Sequence, residues 1–506
     1  VKDNDHDSAS EKSDDEFEPE SGGEEMEDYK PEGYHPVILG EVFNNKYQVI
    51  QKLGWGHFST VWLVNEKKTE NYYALKIQKS KKSYSESAID ELEVLKCLAS
   101  NIDNPEWIAT VQEWNTNYNM SLTPIENFNI RLFDNFTHFG MHGKHYCSVF
   151  EIMGPTLLDV IQFFEDQDKG MDLRLVKVLT RQILMGLDYM HRICKIIHTD
   201  LKPENIMLEL RGTQLQEFIN DLKAYKKKPL SMKFLKKLQT SANSKNKKKK
   251  QKKKKKQQEN GEAKTQETAE TTCQPREKSS EETKNESVEN KSESQTVSEV
   301  STQETTSTQV TSAEEKPASG EAKTEETKEV KTENGETSSE AQSTSNGLKK
   351  EEEESKTDPD DWSYTLKWKG HINVKLDKNT RVKIVDFGNA CWTYKHFTDN
   401  IQTREYRSPE VILGIDYREN TDMWSLACVI FEMITSNFLF KPKKSEKYSK
   451  DDDHLALFQE HLGKMPKAYA LSGKYSRDYF NKNGQLLKIK DLRETSIAEA
   501  LLEERP

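Results

Sequence analysis

Apolar and polar residues alternate along Tyr47–Leu53, Trp62–Asn65 and Tyr72–Lys76, the period-two pattern of half-buried strands. Between the first two lies Gly54-Trp55-Gly56-His57-Phe58-Ser59, which predicts a glycine-bearing turn joining two strands. The period lengthens over Ser85–Leu98, where Ala88, Leu92 and Leu95 recur at helical spacing and Glu91 falls on the same stripe. Residues 100–127 carry no clear period and read as a polar loop insertion. Asn129–Phe136 and Tyr146–Phe150 read as further strands. Leu175–Met190 reads as an amphipathic helix with Leu175, Val178, Leu179, Ile183, Leu187 and Met190 on one face. Short apolar segments, Lys195–Ile197 and Ile206–Leu208, bracket a polar loop. After Leu210 the pattern stops and returns only at Trp362, with a strand at Arg381–Val385 and an all-round apolar helix at Thr421–Phe431. Strands first and helices later predict an α+β chain.

The silent stretches differ in composition. Residues 1–33 are acidic, and residues 212–361 are rich in Lys, Glu, Ser and Thr, with a nearly pure lysine run over Asn246–Lys256. Such segments cannot bury enough apolar surface to offset their ordering entropy, so a disordered acidic tail and a disordered charged spacer are expected. Phe218-Ile219 and Phe234-Leu235 hint at short helices near the spacer's start. The ordered blocks are then 34–211 and 362–506, and the chain as a whole is 33% apolar and 32% charged, with a formal net charge of −11. Six cysteines scattered without paired spacing argue against a disulfide framework or a cysteine zinc site. No apolar run approaches the roughly 20 residues that span a bilayer, and the acidic N-terminus is unlike a secretory signal. A soluble, intracellular monomer is expected. The lysine run suits a nuclear-import signal or a solvated spacer; without interleaved aromatics, direct nucleic-acid binding is not expected.

The polar loop carries the chemistry. It reads His198-Thr-Asp200-Leu-Lys202-Pro-Glu-Asn205. Asp200 can accept a hydroxyl proton, Lys202 can neutralise a phosphate oxygen and Asn205 can hold Mg²⁺, the parts that phosphoryl transfer needs. Gly54 and Gly56 let backbone amides approach phosphates, although a bare hairpin turn explains them alone. Ala74 and Lys76 share one strand face, where the lysine can reach α- and β-phosphates and Ala74 leaves room for a flat base. Glu91 on a burying stripe requires a partner, and Lys76 is the economical choice. Asp386, ending a β-run before Phe387-Gly388, suits a second magnesium ligand. The excess sequence between Asp200 and Asp386 is the spacer, which a domain tolerates because loop closure costs grow only logarithmically.

The eight residues from His198 to Asn205 resemble the catalytic loop of eukaryotic protein kinases, with Thr199 where most members carry arginine. Leu53–Trp62, Ile197–Asn205, Asp386–Trp392 and Ile401–Arg407 are similar to the SR-protein kinases in particular. That resemblance implies a bilobal kinase fold, with a β-rich N-lobe and an α-helical C-lobe split by a long disordered spacer. It implies ATP and Mg²⁺, phosphorylation of serines in Arg-Ser-rich splicing factors, constitutive activity and residence in cytoplasm and nucleus. ATP would then meet Leu53, Gly54, Gly56, Val61, Ala74, Lys76 and Glu91, with Phe150 at the gate and Glu151 and Met153 at the hinge. Thr403 would bridge Asp200 and Lys202, and Asp422 would bond amides of the catalytic loop. Asp451, Asp452, Asp453 and Glu460 would dock Arg-Ser segments, although acids at a helix start also serve as caps. Phe387 stands where these kinases usually have Leu, and Asn437 replaces an acid of the docking groove. The final C-lobe helices, and the arginine that pairs with Glu410, have no counterpart, so the C-lobe is expected to be incomplete at its end. Two other classes remain open on sequence alone: a pseudokinase scaffold, and an adaptor acting through the lysine run. Another kinase family of the same broad group is the enzymatic alternative.

Overall fold

The computed structural model describes residues 26–224, 362–369 and 372–504; the lysine run, Cys273 and Phe234-Leu235 lie outside the described residues. Strands β1 (Val42–Phe43), β2 (Tyr47–Gly56), β3 (Ser59–Glu66) and β4 (Tyr72–Gln78) are followed by helices α1 (Lys82–Ser100) and α2 (Pro105–Tyr118). Strands β5 (Leu132–Gly140) and β6 (Gly143–Phe150) complete an antiparallel sheet of order β1-β2-β3-β4-β6-β5. Strand alternation gives this sheet two apolar faces. Trp62, Val64, Leu75, Ile77 and Val149 pack on one. Leu63 and Ala74 belong to the other core, which includes Val94, Leu95 and Leu98 of α1.

The helix stripe is rotated from the expected one. Ala88, Glu91, Val94, Leu95 and Leu98 are buried, whereas Leu92 lies at the rim. Residues 105–118, expected as loop, are helical. Asn104 caps the helix by accepting from the Glu106 and Trp107 amides, Pro105 occupies its first turn, and Trp107 and Val111 are buried. Trp107 packs edge-on against Trp114 and donates its indole N–H to the Pro124 carbonyl at 2.8 Å.

The second part of the chain contains β7 (Met153–Thr156), α3 (Leu157–Glu165) and α4 (Leu173–Asp188), which runs on into a wider turn at Tyr189–Cys194. Next come β8 (Ile196–Ile197), β9 (Ile206–Glu209) and α5 (Gly212–Ala224). Past the spacer are β10 (Ser363–Trp368), β11 (Ile372–Asp377), β12 (Val382–Ile384) and β13 (Cys391–Trp392). Helices α6 (Pro409–Leu413), α7 (Asn420–Thr435), α8 (Lys450–Leu462) and α9 (Ile497–Glu504) follow. Strands from the two sequence blocks pair with one another: β9 with β12 in the register Met207↔Lys383, and β8 with β13 in the register Ile197↔Cys391. Neither block can complete these ladders alone.

The expected spacer boundary at residue 212 moves. Residues 212–224 form α5, with Phe218, Ile219 and Leu222 buried. Phe218-Ile219, which hinted at a short helix, are joined by Leu222 in an i, i+1, i+4 stripe that fixes it to the domain. Phe218 packs on Trp368 of the β10–β11 hairpin at 5.3 Å, so both ends of the spacer are folded onto the domain. Glu410 on α6 is buried and accepts from three neutral donors: Asn420 Nδ2 (3.0 Å), Thr421 Oγ1 (3.1 Å) and the Tyr469 hydroxyl (3.1 Å).

Candidate active site

The catalytic loop is shaped from below. Asp422, fully buried in the first turn of α7, accepts from the His198 amide (2.7 Å), the Thr199 amide (2.9 Å) and His191 Nε2 (2.8 Å). Burial opposes the charge of Asp422, but His191, His198 and these amides outweigh it and hold the carboxyl below its usual range. The loop turns through Thr199, whose φ of 66° is costly for a β-branched residue and persists only because its amide is held. Thr199 Oγ1 donates to the Asn389 carbonyl at 2.8 Å, so the position usually given to arginine fastens the start of the activation segment.

Asp200, Lys202 and Thr403 form a closed triangle. The Thr403 hydroxyl and amide both donate to Asp200 Oδ1, at 2.7 and 3.1 Å. Lys202 Nζ lies 3.0 Å from Thr403 Oγ1 and 3.0 Å from Asp200 Oδ2. Asn205 Nδ2 donates to the Asp200 carbonyl at 2.9 Å, which leaves its Oδ1 as the acceptor end. The Val385 amide donates to the Asn205 carbonyl at 2.9 Å, bringing Asp386 beside Asn205 across the spacer. His198 Nε2 meets the Val385 carbonyl at 3.0 Å, and the Phe387 ring stands edge-on to His198, fully buried.

Lys76 Nζ lies 2.6 Å from Glu91 and 3.5 Å from Asp386. Burial works against the ammonium charge, but the two carboxylates overcome it and raise Lys76 above the ordinary lysine range. Lys76 in turn lowers Asp386, against the effect of burial. The carboxylate of Asp386 stays 51% exposed. A carboxylate and an amide oxygen are hard donors of the kind a small divalent cation takes, so these two residues fit such an ion.

One cavity of about 820 Å³ is lined by Leu53, Gly54, Gly56, Val61, Ala74, Lys76, Glu91, Phe150, Glu151 and Met153 together with Asp386. All ten residues expected at the nucleotide are therefore brought together. Glu151 is further held by Lys383, whose Nζ reaches both carboxylate oxygens at 2.7 Å. A Cβ on Gly54 or Gly56 would meet nothing within 4 Å. Packing does not demand glycine there.

Some lining residues were not foreseen. Phe218, Trp368 and Lys369 come from the two ends of the spacer, and Lys369 Nζ donates to the Leu53 carbonyl at 3.1 Å. The tip of the glycine turn is tied by Tyr34, whose hydroxyl donates to the Gly56 carbonyl at 2.6 Å. Only the apolar period of α5 was legible for these.

The activation segment is held through Gln402. Gln402 is buried; its Nε2 donates to the Thr421 carbonyl (3.0 Å) and Ser425 Oγ (2.9 Å), and its Oε1 accepts from the Ser408 amide (2.8 Å). Its own amide donates to the Thr199 carbonyl at 2.9 Å, and Arg407 Nη2 donates to the Gln402 carbonyl at 2.9 Å.

The four acids expected to dock substrate lie along α8. Asp451 pairs with Arg404. Asp452 is buried, forms a capping box with Ser449 and pairs with Lys488 at 2.7 Å, so its carboxylate is taken up by the helix start. Asp453 accepts from the Lys443 amide at 2.7 Å and Glu460 from the Arg493 amide at 2.9 Å. Asn437 donates to Glu504 of α9 at 2.7 Å.

The protein kinase domain family matches residues 47–223 and 370–490. The chain is similar to the serine/threonine-protein kinase SRPK of Physarum polycephalum, 35% identical over 474 residues, covering 94% of this chain and 80% of that one. It is similar to SRSF protein kinase 3 of Mus musculus, 34% identical, with 95% and 83% covered. It is also similar to protein kinase dsk1 of Schizosaccharomyces pombe, 35% identical, with 94% and 77% covered.

Proposed function

Because the chain belongs to the protein kinase family, and within it to the SR-protein kinases, we propose that this serine/threonine kinase transfers the γ-phosphoryl of Mg²⁺-ATP to serines flanked by arginine in splicing-factor tails. The observation that carries the reading is the triangle of Asp200, Lys202 and Thr403 beside the nucleotide cavity. Asp200 accepts the proton of the attacking hydroxyl, and Thr403 fixes the carboxylate so that Oδ2 remains for that proton. Lys202, between Asp200 and Thr403, offers positive charge to the transferring group. Lys76, oriented by Glu91, holds the nucleotide phosphates. Mg²⁺, when bound by Asp386 and Asn205, neutralises charge that develops on the phosphates.

Acidic groups near the triangle support an arginine-bearing substrate. Glu432 on α7 is buried, and its carboxyl is raised to about 7 by burial and then by Glu204, Glu405 and Glu165, while the Tyr406 hydroxyl bonds it at 2.7 Å. A guanidinium placed among Glu204, Glu405 and Glu432 would relieve that repulsion bidentately. Asp451, Asp453 and Glu460 extend the negative surface along α8 and are proposed to dock the following arginines. The segment held by Gln402 supports activity without prior phosphorylation. The lysine run supports shuttling between cytoplasm and nucleus. No helix among the described residues is long and apolar enough to cross a membrane.

Purified protein, without any activating kinase, is expected to label an Arg-Ser repeat peptide and not its Lys-Ser counterpart, with Asp200→Asn as the blank. Equal labelling of both peptides would remove the substrate assignment, and no labelling beyond the blank would remove the activity.

A further inference from the structure

On the sheet face away from the nucleotide cavity, three histidines and a glutamate converge where the segment before β1 crosses the β5–β6 hairpin. His138 and His145 are cross-strand partners, so their side chains share a face, and His35 packs on both, with ring centroids 4.5 and 5.3 Å away. His35 Nε2 lies 3.1 Å from Glu41 Oε1, while Glu41 Oε2 accepts from the Ile38 amide at 3.0 Å. One ligand atom from each of His35, Glu41 and His138 lies within 4.8 Å of the other two.

Three buried ring nitrogens of this cluster have no hydrogen-bond partner: His35 Nδ1, His138 Nε2 and His145 Nε2. Buried polar atoms without partners are costly, and three on adjoining rings require a reason. Solvated alternatives are closed to His35 and His145, which are 6% and 0% exposed. The crowding is built in at Gly140, where an added Cβ would lie 2.3 Å from His35 Nδ1 and 3.3 Å from His145 Cδ2. Only glycine lets the His35 ring reach this position.

We infer that His35 Nε2, the Glu41 carboxylate and the His138 imidazole form a binding site for a divalent transition-metal cation of the zinc type. Two imidazoles and one carboxylate, with a fourth place left to water, are a donor set such ions take. Donors on one tetrahedral cation lie about 3.3 Å apart, so side-chain movements on the order of 1 Å bring this trio to bonding distance. Metal on His35 Nε2 displaces the proton shared with Glu41 and sends it to Nδ1. His145 donates its Nδ1–H to the Gln78 carbonyl at 2.8 Å, which leaves Nε2 of that neighbouring ring as a lone pair. The Glu41 side chain, 23% exposed, provides the way in. The cation would staple Tyr34–Glu41, the segment whose Tyr34 holds the glycine turn, to the β5–β6 hairpin.

The test uses the full chain with excess Mg²⁺ to occupy the nucleotide-site carboxylates. Zn²⁺ binding is followed by equilibrium dialysis, and Co²⁺ is added separately as a spectroscopic probe. One tightly held Zn²⁺ per chain, visible bands of four-coordinate Co²⁺ and a rise in melting temperature are expected. His138→Phe, which keeps the packing on Phe43, and Glu41→Gln are each expected to weaken Zn²⁺ by more than about 10-fold, the loss incurred even when a residue merely orients a ligand. Octahedral Co²⁺ spectra in the unmutated protein, which need no variant to fold, would overturn the site. So would Zn²⁺ affinity unchanged in both variants.

Discussion

Thr403 is bonded through one hydroxyl to both Asp200 and Lys202, so its loss frees two catalytic groups at once. A charge-assisted hydrogen bond contributes about 1.5–3 kcal/mol. Thr403→Ala is therefore expected to lower kcat by roughly 10- to 100-fold with the KM for ATP little changed, and Thr403→Ser to restore most of it; steady-state kinetics check both. Glu432 makes a prediction about pH. Its carboxyl is raised in the folded protein from 4.5 to about 7, burial being the main cause, so the folded chain binds a proton that the unfolded chain has released. This stabilisation is complete below about 4.5 and is lost as pH rises through about 7. Denaturant unfolding of Glu432→Gln should show a flatter dependence over that window and a more stable protein than the parent at pH 8. At this scale the sequence was informative wherever a residue type is chemically forced. Asp200, Lys202, Asn205, Lys76, Glu91 and Asp386 were all placed from their neighbours. Tyr34 and Gln402 were not, because a tyrosine or glutamine that bonds to backbone leaves no pattern of its own.

Helices α2 and α5 show how element-level reading misses helices in polar stretches. In α2 the Asn104-Pro105 start signal was present, but half-polar turns masked the spacing of Trp107, Val111 and Trp114. Asn104→Ala, which removes acceptors for the Glu106 and Trp107 amides, is expected to cost about 0.5–2 kcal/mol in thermal or denaturant unfolding. In α5 the composition read as spacer, while three buried side chains were enough to fasten a helix to the domain. Phe218 sits between Trp368 and the nucleotide cavity. Phe218→Ala should destabilise the protein by about 3–5 kcal/mol and also weaken ATP binding, measured by calorimetry. A spacer that began at residue 212 without a helix would give neither effect. Strands were read more reliably, because one buried face fixes a period of two, although β5 begins at Leu132 and not at the expected Asn129.

For the whole molecule, the question is how two blocks separated by a long polar stretch act as one enzyme. They share ladders: β9 with β12 and β8 with β13, and the backbone bond from Val385 to Asn205 brings Asp386 beside Asn205. Replacing residues 230–355 by a short Gly/Ser linker keeps α5 and the β10–β11 hairpin. It is expected to leave kcat and the KM for ATP within a few-fold of the parent, since closure entropy changes only slowly with length. A cut that also removes residues 212–224 should lose nucleotide affinity, and the contrast between the two deletions is the measurement. The sequence by itself determined the reaction and its principal atoms, because phosphoryl transfer requires particular charges at particular spacings and few other residues can supply them. The tertiary structure alone decided which of the polar residues are taken up by the fold. Asp452 caps a helix, Gln402 ties the activation segment to α7, the spacer's two ends wall the nucleotide cavity, and His35 meets His138 and His145 of a distant hairpin on one sheet face. Those outcomes depend on burial and on contacts between distant segments, and no local period or composition encodes them.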